Sequence, residues 1–280
     1  MTRDTQIIDA EQRTYFNLLA EMGHTKHIGG LAATERLAEL IEPKRGDEVL
    51  DVGCGVGIGV VYLAEQFDCR VVGVDLTSRM IERSQERAKR HGVAGQVDFR
   101  VADMHALPFA GSRFDAAIAE SVLTFSADKA HVVSELLRVV KPGGMIAFTE
   151  VIWVQPPPEG KADFMARAAG MPHGILTHDE WQAIMDASDL EAVIAEAYKV
   201  TARQESKNQY GRVSPGDYMR ALGGFLRAIT RPQYRQVFRS AMGSVPKDYF
   251  RHIGYGIYGG RKIVNSKQKT VNGKRADSSN

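Results

Sequence analysis

Glycines alternate with other residues at Gly53, Gly55 and Gly57, two positions after an acid, Asp51, and a second acid, Asp75, follows 24 positions beyond the first. Val49-Leu50 leads into Asp51, and a helix-forming run from Ile58 to Phe67 begins directly after Gly57. Glycine lets a backbone turn tightly and approach a ligand, and a helix starting there offers its free amides and positive end. An acid at the next strand tip can accept hydrogen bonds from both hydroxyls of a ribose. The combination predicts a nucleoside lying across strand tips. A dinucleotide is the obvious competitor, but a GxGxxG signature begun at Gly53 needs glycine where Ile58 stands, and one begun at Gly55 needs it at Val60. Asp51 would also repel a phosphate, whereas it could receive the cationic amino group of a methionine moiety.

Those residues need strands to carry them. Short β-branched runs alternate with helical segments over residues 47–151, the rhythm of parallel strands joined by right-handed crossovers. The expected strands are Glu48–Val52, Arg70–Asp75, Val97–Val101, Phe114–Ala119 and Met145–Val151, so Asp51 and Asp75 fall at strand ends. Thr77 and Gly92 bracket a helix over 78–91 as N-cap and glycine stop. A helix over 127–140 runs into Lys141-Pro142-Gly143-Gly144, read as a turn, and Thr177 with Glu180 has capping-box spacing. Before this core, residues 1–46 hold two expected helices, 9–22 and 31–41, read as a lid. Residues 153–247 have helical stretches and little β signal, read as a substrate cap with late core elements. Tyr255–Val264, within 248–264, reads as a last strand, and the polar tail 265–280 as disordered.

Composition narrows the partners. The 280 residues carry 36 Lys and Arg against 34 Asp and Glu, so no broad basic field invites nucleic acid. No apolar run is long enough to cross a membrane, which argues against stable insertion. The two cysteines, Cys54 and Cys69, lack metal-site spacing and read as free thiols of a reducing, cytoplasmic compartment; no metal is expected.

With these motifs in place, Val49–Gly57, Asp75, Ala102-Asp103-Met104 and Leu137–Gly144 together resemble the successive motifs of class I S-adenosylmethionine-dependent methyltransferases. The resemblance covers about residues 28–151 and is similar to the small-molecule group acting on tocopherols, sterols, quinones and amines. It implies an α/β, Rossmann-like three-layer sandwich with a mixed seven-stranded sheet containing one antiparallel strand near the end. It also implies S-adenosyl-L-methionine as cofactor, with Asp103 and Met104 beside the adenine. The expected cofactor set is Tyr15, Asp51, Gly53, Cys54, Gly55, Gly57, Asp75, Leu76, Met80, Asp103, Met104 and Glu120. The expected reaction is in-line transfer of a methyl group to an O, C or N atom of a small, partly apolar acceptor.

The base is less determined. His27-Ile28-Gly29-Gly30 and Glu120-Ser121 resemble that group, so His27 and Glu120 are the catalytic candidates. Many members carry His where this chain has Phe125, which weakens any base assigned by analogy. Glu120 can equally be a structural acceptor, and Asp75 a helix-capping acid. His173 is a lesser candidate, and Tyr15 and Phe16 could stack over the cofactor. The cap's aromatic and Met residues, including Trp153, Met165, Met171, Trp181, Tyr218, Met219, Phe225 and Tyr249, are core by default. A nicotinamide oxidoreductase and a non-catalytic cofactor-binding regulator stay as alternatives, and a homodimer is compatible with the sequence.

Overall fold

A computed structural model of the chain describes residues 10–22, 27–168, 171, 173–201, 203–205, 219, 222–226, 230–231, 234 and 248–264. Helices α1 (Ala10–Met22) and α2 (Gly30–Ile41) precede the core. Next come β1 (Glu48–Val52), α3 (Ile58–Phe67), β2 (Arg70–Asp75), α4 (Ser78–Arg90), β3 (Val97–Val101) and β4 (Phe114–Glu120). They are followed by α5 (Lys129–Val139), β5 (Val140–Trp153), α6 (Ala162–Ala168), β6 (Leu176–Thr177), α7 (His178–Asp186), β7 (Leu190–Lys199), α8 (Tyr249–His252) and β8 (Ile253–Lys262). The sheet runs β3-β2-β1-β4-β5-β8-β7, with β6 pairing β5 to one side. Strands β1 to β5 are parallel, and β8 is antiparallel to both of its neighbours.

Strand alternation sorts the core into two layers. Leu50, Val52, Ala117, Ala119, Ile146 and Phe148 face α5 and α7, meeting Val132, Leu136, Trp181 and Met185. Val49, Val71, Ala116, Ile118 and Ala147 face α2, α3 and α4, meeting Leu37, Val60, Leu63 and Ile81. Asp51 and Glu120 share parity with Val49 and Ile118, so both turn toward the α2 and α3 layer. From β1 the chain builds outward to β3, then returns to place β4 on the other side of β1. The β1/β4 boundary is therefore the switch point where open α/β sheets bind ligands.

Three expectations need correction. Leu190–Lys199, in the stretch read as having little β signal, is a strand: its Ala- and Glu-rich sequence favours a helix, but pairing with β8 decides otherwise. The expected turn at Lys141–Gly144 lies inside β5, where the register against β4 jumps from Phe114↔Val140 to Ala116↔Met145. Gly143 takes φ 79° there, so the four residues bulge out of the ladder without ending the strand. Among the cap residues, Met165, Trp181 and Tyr249 are buried and Trp153 and Met171 half-buried, but Met219 and Phe225 are exposed beside Leu222 and Leu226. Tyr218, Asp9 and the tail lie outside the described residues.

Candidate active site

The glycine turn is built from its own backbone and from α4. The amides of Gly53 and Cys54 both donate to the Val74 carbonyl at 2.8 and 2.9 Å, tying the turn to the end of β2. Ser84 Oγ donates to the Gly55 carbonyl at 2.7 Å, and Arg87 Nε to the Val56 carbonyl at 2.9 Å. Gly53, Gly55 and Gly57 all have positive φ, and a Cβ on Gly53 would come within 2.5 Å of Val122, so larger residues are barred there. Gly57 caps α3 without a side-chain hydrogen bond, which leaves the first-turn amides available.

At the tip of β2, Asp75 Oδ2 accepts from the Gly55 amide at 3.1 Å. Its Oδ1 accepts from the Thr77 amide at 2.9 Å and the Thr77 hydroxyl at 3.1 Å. The N-cap of α4 is Thr77, whose hydroxyl accepts from the Met80 amide, and Asp75 braces that cap from the strand tip; the Leu76 amide also favours the carboxylate, so most of its acceptor positions are engaged. Burial pushes this carboxyl up, against the pull of those donors. Leu76 is exposed beside it, and Met80 is buried against Val56 with Tyr15, Phe16 and Leu19 of α1. Phe16 meets Phe125 edge-on, so the Phe125 position holds an apolar contact from α1.

An acidic pair lies under the turn. Asp51 is buried and its carboxyl is raised well above the ordinary range, by desolvation first and then by the negative charges of Glu120 and Asp75. Among the described residues no donor bonds the Asp51 carboxylate. Glu120 Oε2 accepts from the fully buried Thr34 hydroxyl at 2.7 Å and lies 3.5 Å from His27 Nε2, which is itself buried without a hydrogen-bond partner. Gly59 makes the room: a Cβ there would stand 2.7 Å from Glu120 Oε1 and 3.1 Å from Asp51 Oδ2. Ser121, next to Glu120, adopts φ 53° with its buried Oγ unpartnered. Among the described residues, two acids and an imidazole nitrogen without a hydrogen-bond partner meet here and no Lys or Arg pairs with either acid, a setting that suits a ligand ammonium.

Beyond β3, Asp103 Oδ1 accepts from the amide and from Nδ1 of His105, at 2.9 and 2.7 Å. Met104 packs half-buried on the α5-side core. Cys54 is buried with its thiol raised by desolvation and by Asp51 and Asp75, and Cys69 is buried with its thiol pushed up to about 11. His173, on the cap surface, has its imidazole shifted down by partial desolvation and by the charges of Lys129 and His105. Tyr15, Asp51, the three glycines, Cys54, Asp75, Met80, Glu120 and His27 therefore converge. Sequence reasoning missed Thr34, Gly59 and His105. Of these only Gly59 carried a signal, since glycine in the first turns of a helix is costly unless close approach requires it.

The fold and the strand-tip site define the class I methyltransferase architecture. A methyltransferase-domain family model matches residues 50–148. The O-methyltransferase rstn1 of Aspergillus nomiae is 31% identical over 58% of this chain and 73% of its own length. The 27-O-demethylrifamycin SV methyltransferase of Amycolatopsis mediterranei is 32% identical over 58% of this chain, which spans 61% of that enzyme. In structure the chain is similar to the [4+2]-cyclase SpnF, with a TM-score of 0.72, 22% identity, and 91% and 97% of the two chains covered. The chain belongs to the methyltransferase-domain family of S-adenosylmethionine-dependent enzymes. Among the described residues no helix is long and apolar enough to cross a membrane.

Proposed function

We propose that this chain transfers a methyl group from S-adenosyl-L-methionine to an O, C or N atom of a small, partly apolar acceptor. The observation that carries the reading is the buried Asp51 carboxyl beside the half-buried Glu120, opened by Gly59, with no Lys or Arg paired to either acid among the described residues. A buried acid beside a second acid is costly, and a ligand ammonium would relieve Asp51. The cofactor supplies a methyl group on a cationic sulfur, already activated for displacement.

The chain's own residues then bind, orient and exclude water. Asp51 and Glu120 would hold the ammonium, the turn amides and Asp75 the ribose, and Asp103 the adenine amino group. Both Asp75 oxygens already accept from the chain, so the ribose hydroxyls must share them with Gly55 and Thr77. Leu76, Met80, Met104 and Tyr15 would supply apolar walls. His27 is the base candidate: Nε2 faces Glu120, which would stabilise the imidazolium once a proton arrives from an acceptor hydroxyl, amine or activated carbon. Alignment and dryness supply most of the rate in an in-line displacement, so His27→Ala should lower turnover about a hundredfold for an acceptor that must lose a proton.

Residues 1–46 would serve as lid and 153–247 as substrate cap. Support comes from α1 packing on Val56 and Met80, and from the apolar cluster of Ile28, Met165, Ile175, Val200 and Tyr249 beside the His27 turn. The two buried free cysteines fit a cytoplasmic setting, and a homodimer is compatible. Because a cyclase shares this fold, fold alone does not select the chemistry. The test is mass spectrometry of a cell extract incubated with the chain and methyl-labelled cofactor. A labelled small molecule supports the reading; tight cofactor binding with no labelled product in any extract overturns catalysis in favour of a binding or regulatory role.

A further inference from the structure

The loop after β3 and the start of α5 are joined by a chain of hydrogen bonds outside the glycine turn. His105 Nδ1 lies 2.7 Å from Asp103 Oδ1, and His105 Nε2 lies 2.8 Å from Ser126 Oγ. The connectivity is that of a Ser-His-Asp triad, but Ser126 is fully buried, so its oxygen cannot reach a substrate. Its surroundings define another role. Ser126 Oγ accepts the amide of Asp128, the N-cap of α5, at 3.0 Å, and because the Asp103 carboxylate can only accept at Nδ1, the Ser126 hydroxyl donates to His105 Nε2. Neutral His105 then carries its ring proton on Nδ1 and donates it to Asp103. His131 holds the ring from the other side, stacked at 6.2 Å with an interplanar angle of 11°, and its Nε2 lies 2.9 Å from the His105 carbonyl.

Among the described residues the donors to the Asp103 carboxylate, the His105 amide and ring, both fall on Oδ1. The carboxylate is fixed in one orientation and Oδ2 remains as acceptor. We infer that His105 and Ser126 are positioning residues that set Asp103 to select a purine nucleoside bearing a 6-amino group. This inference rests on the proposed placement of the adenine at Asp103. An acceptor-only oxygen held still takes an N–H donor and rejects a 6-oxo group, whereas a freely rotating carboxylate would lose part of that preference.

The experiment is titration calorimetry with S-adenosylhomocysteine and with its analogue in which hydrogen replaces the 6-amino group. Wild type should prefer the amino compound. His105→Phe should weaken binding of S-adenosylhomocysteine about five- to tenfold and leave the 6-deamino analogue unchanged. Ser126→Ala should do the same to a smaller degree, and His105→Asn, which keeps a donor near Asp103, should restore most of the preference. Wild-type affinity in His105→Phe, or equal weakening of both ligands, overturns the positioning role. If wild type and Asp103→Asn do not distinguish the two ligands, the adenine placement itself is wrong, and if wild type binds neither, the cofactor reading falls.

Discussion

Asp51 and Asp75 lie at neighbouring strand tips but carry different burdens. Asp75 is compensated by the Gly55 and Thr77 amides and the Thr77 hydroxyl, so its replacement should cost mainly ligand contacts. Asp75→Ala is expected to raise the dissociation constant for S-adenosylhomocysteine about a hundredfold in titration calorimetry while far-UV circular dichroism stays native. Asp51 is uncompensated. Burial and two neighbouring acids raise its folded-state pKa, so the native chain keeps a proton that the unfolded chain releases, and stability falls as pH rises above the ordinary carboxylate range. Asp51→Asn should therefore stabilise the cofactor-free protein at neutral pH by about 1 kcal/mol or more in urea unfolding, and weaken cofactor binding about tenfold. A destabilised Asp51→Asn protein would contradict the account of an unpaired acid.

At the scale of elements, β5 holds the turn that follows β4. Glu150 is fully buried on the α5 side, where it accepts the amides of Leu123 and Thr124 at 2.7 and 3.2 Å. Desolvation nevertheless dominates, and the carboxyl is pushed up to about 8. The folded pKa exceeds the unfolded one, so Glu150 subtracts stability as pH climbs from about 4.5 to about 8, by up to about 1.4 kcal/mol per unit. Glu150→Gln should flatten unfolding free energy against pH across that window; an unchanged slope would place the titration elsewhere. Helix α1 is tied to α4 by another buried acid, Glu21, which meets Arg79 at 2.8 Å and Arg83 at 3.1 Å. If α1 is the lid, Glu21→Gln should speed dissociation of S-adenosylhomocysteine several-fold in stopped-flow measurements, with a smaller effect in high salt.

For the whole molecule, ligand binding across β1, β2 and β4 couples to global stability. S-adenosylhomocysteine at a hundred times its dissociation constant should add about 2.7 kcal/mol, seen as a rise in melting temperature that Asp75→Ala loses at the same ligand concentration. Exchanging residues 153–247 with those of a relative should carry acceptor preference with the segment and leave cofactor affinity as it was. Unchanged preference in that chimaera would remove the cap from the selection of substrate.

Much of this was legible in the sequence because it is short-range. The bounds of β1, β2, β3 and α3, the Thr77 cap of α4 and the Thr177–Glu180 capping box follow from hydrophobic period, side-chain capping and glycine conformation within a few residues. The glycine turn with Asp51 and Asp75 belongs here, since adjacent parallel strands leave their tips side by side. Tertiary structure alone decided that β7 is a strand, because its local preference is helical and the partner β8 lies more than fifty residues away. It alone brought His27, Thr34 and Gly59 to Glu120, through the register of β4 on β1 and the seating of α2 and α3 on one sheet face. It alone joined His105 to Ser126, because the loop after β3 and the cap of α5 meet only once the sheet is ordered. The sequence by itself thus determined the class of protein and the nucleoside cradle, whose parts are local. The buried charge and the orientation of Asp103 depend on contacts between distant segments, and only the packed sheet sets those.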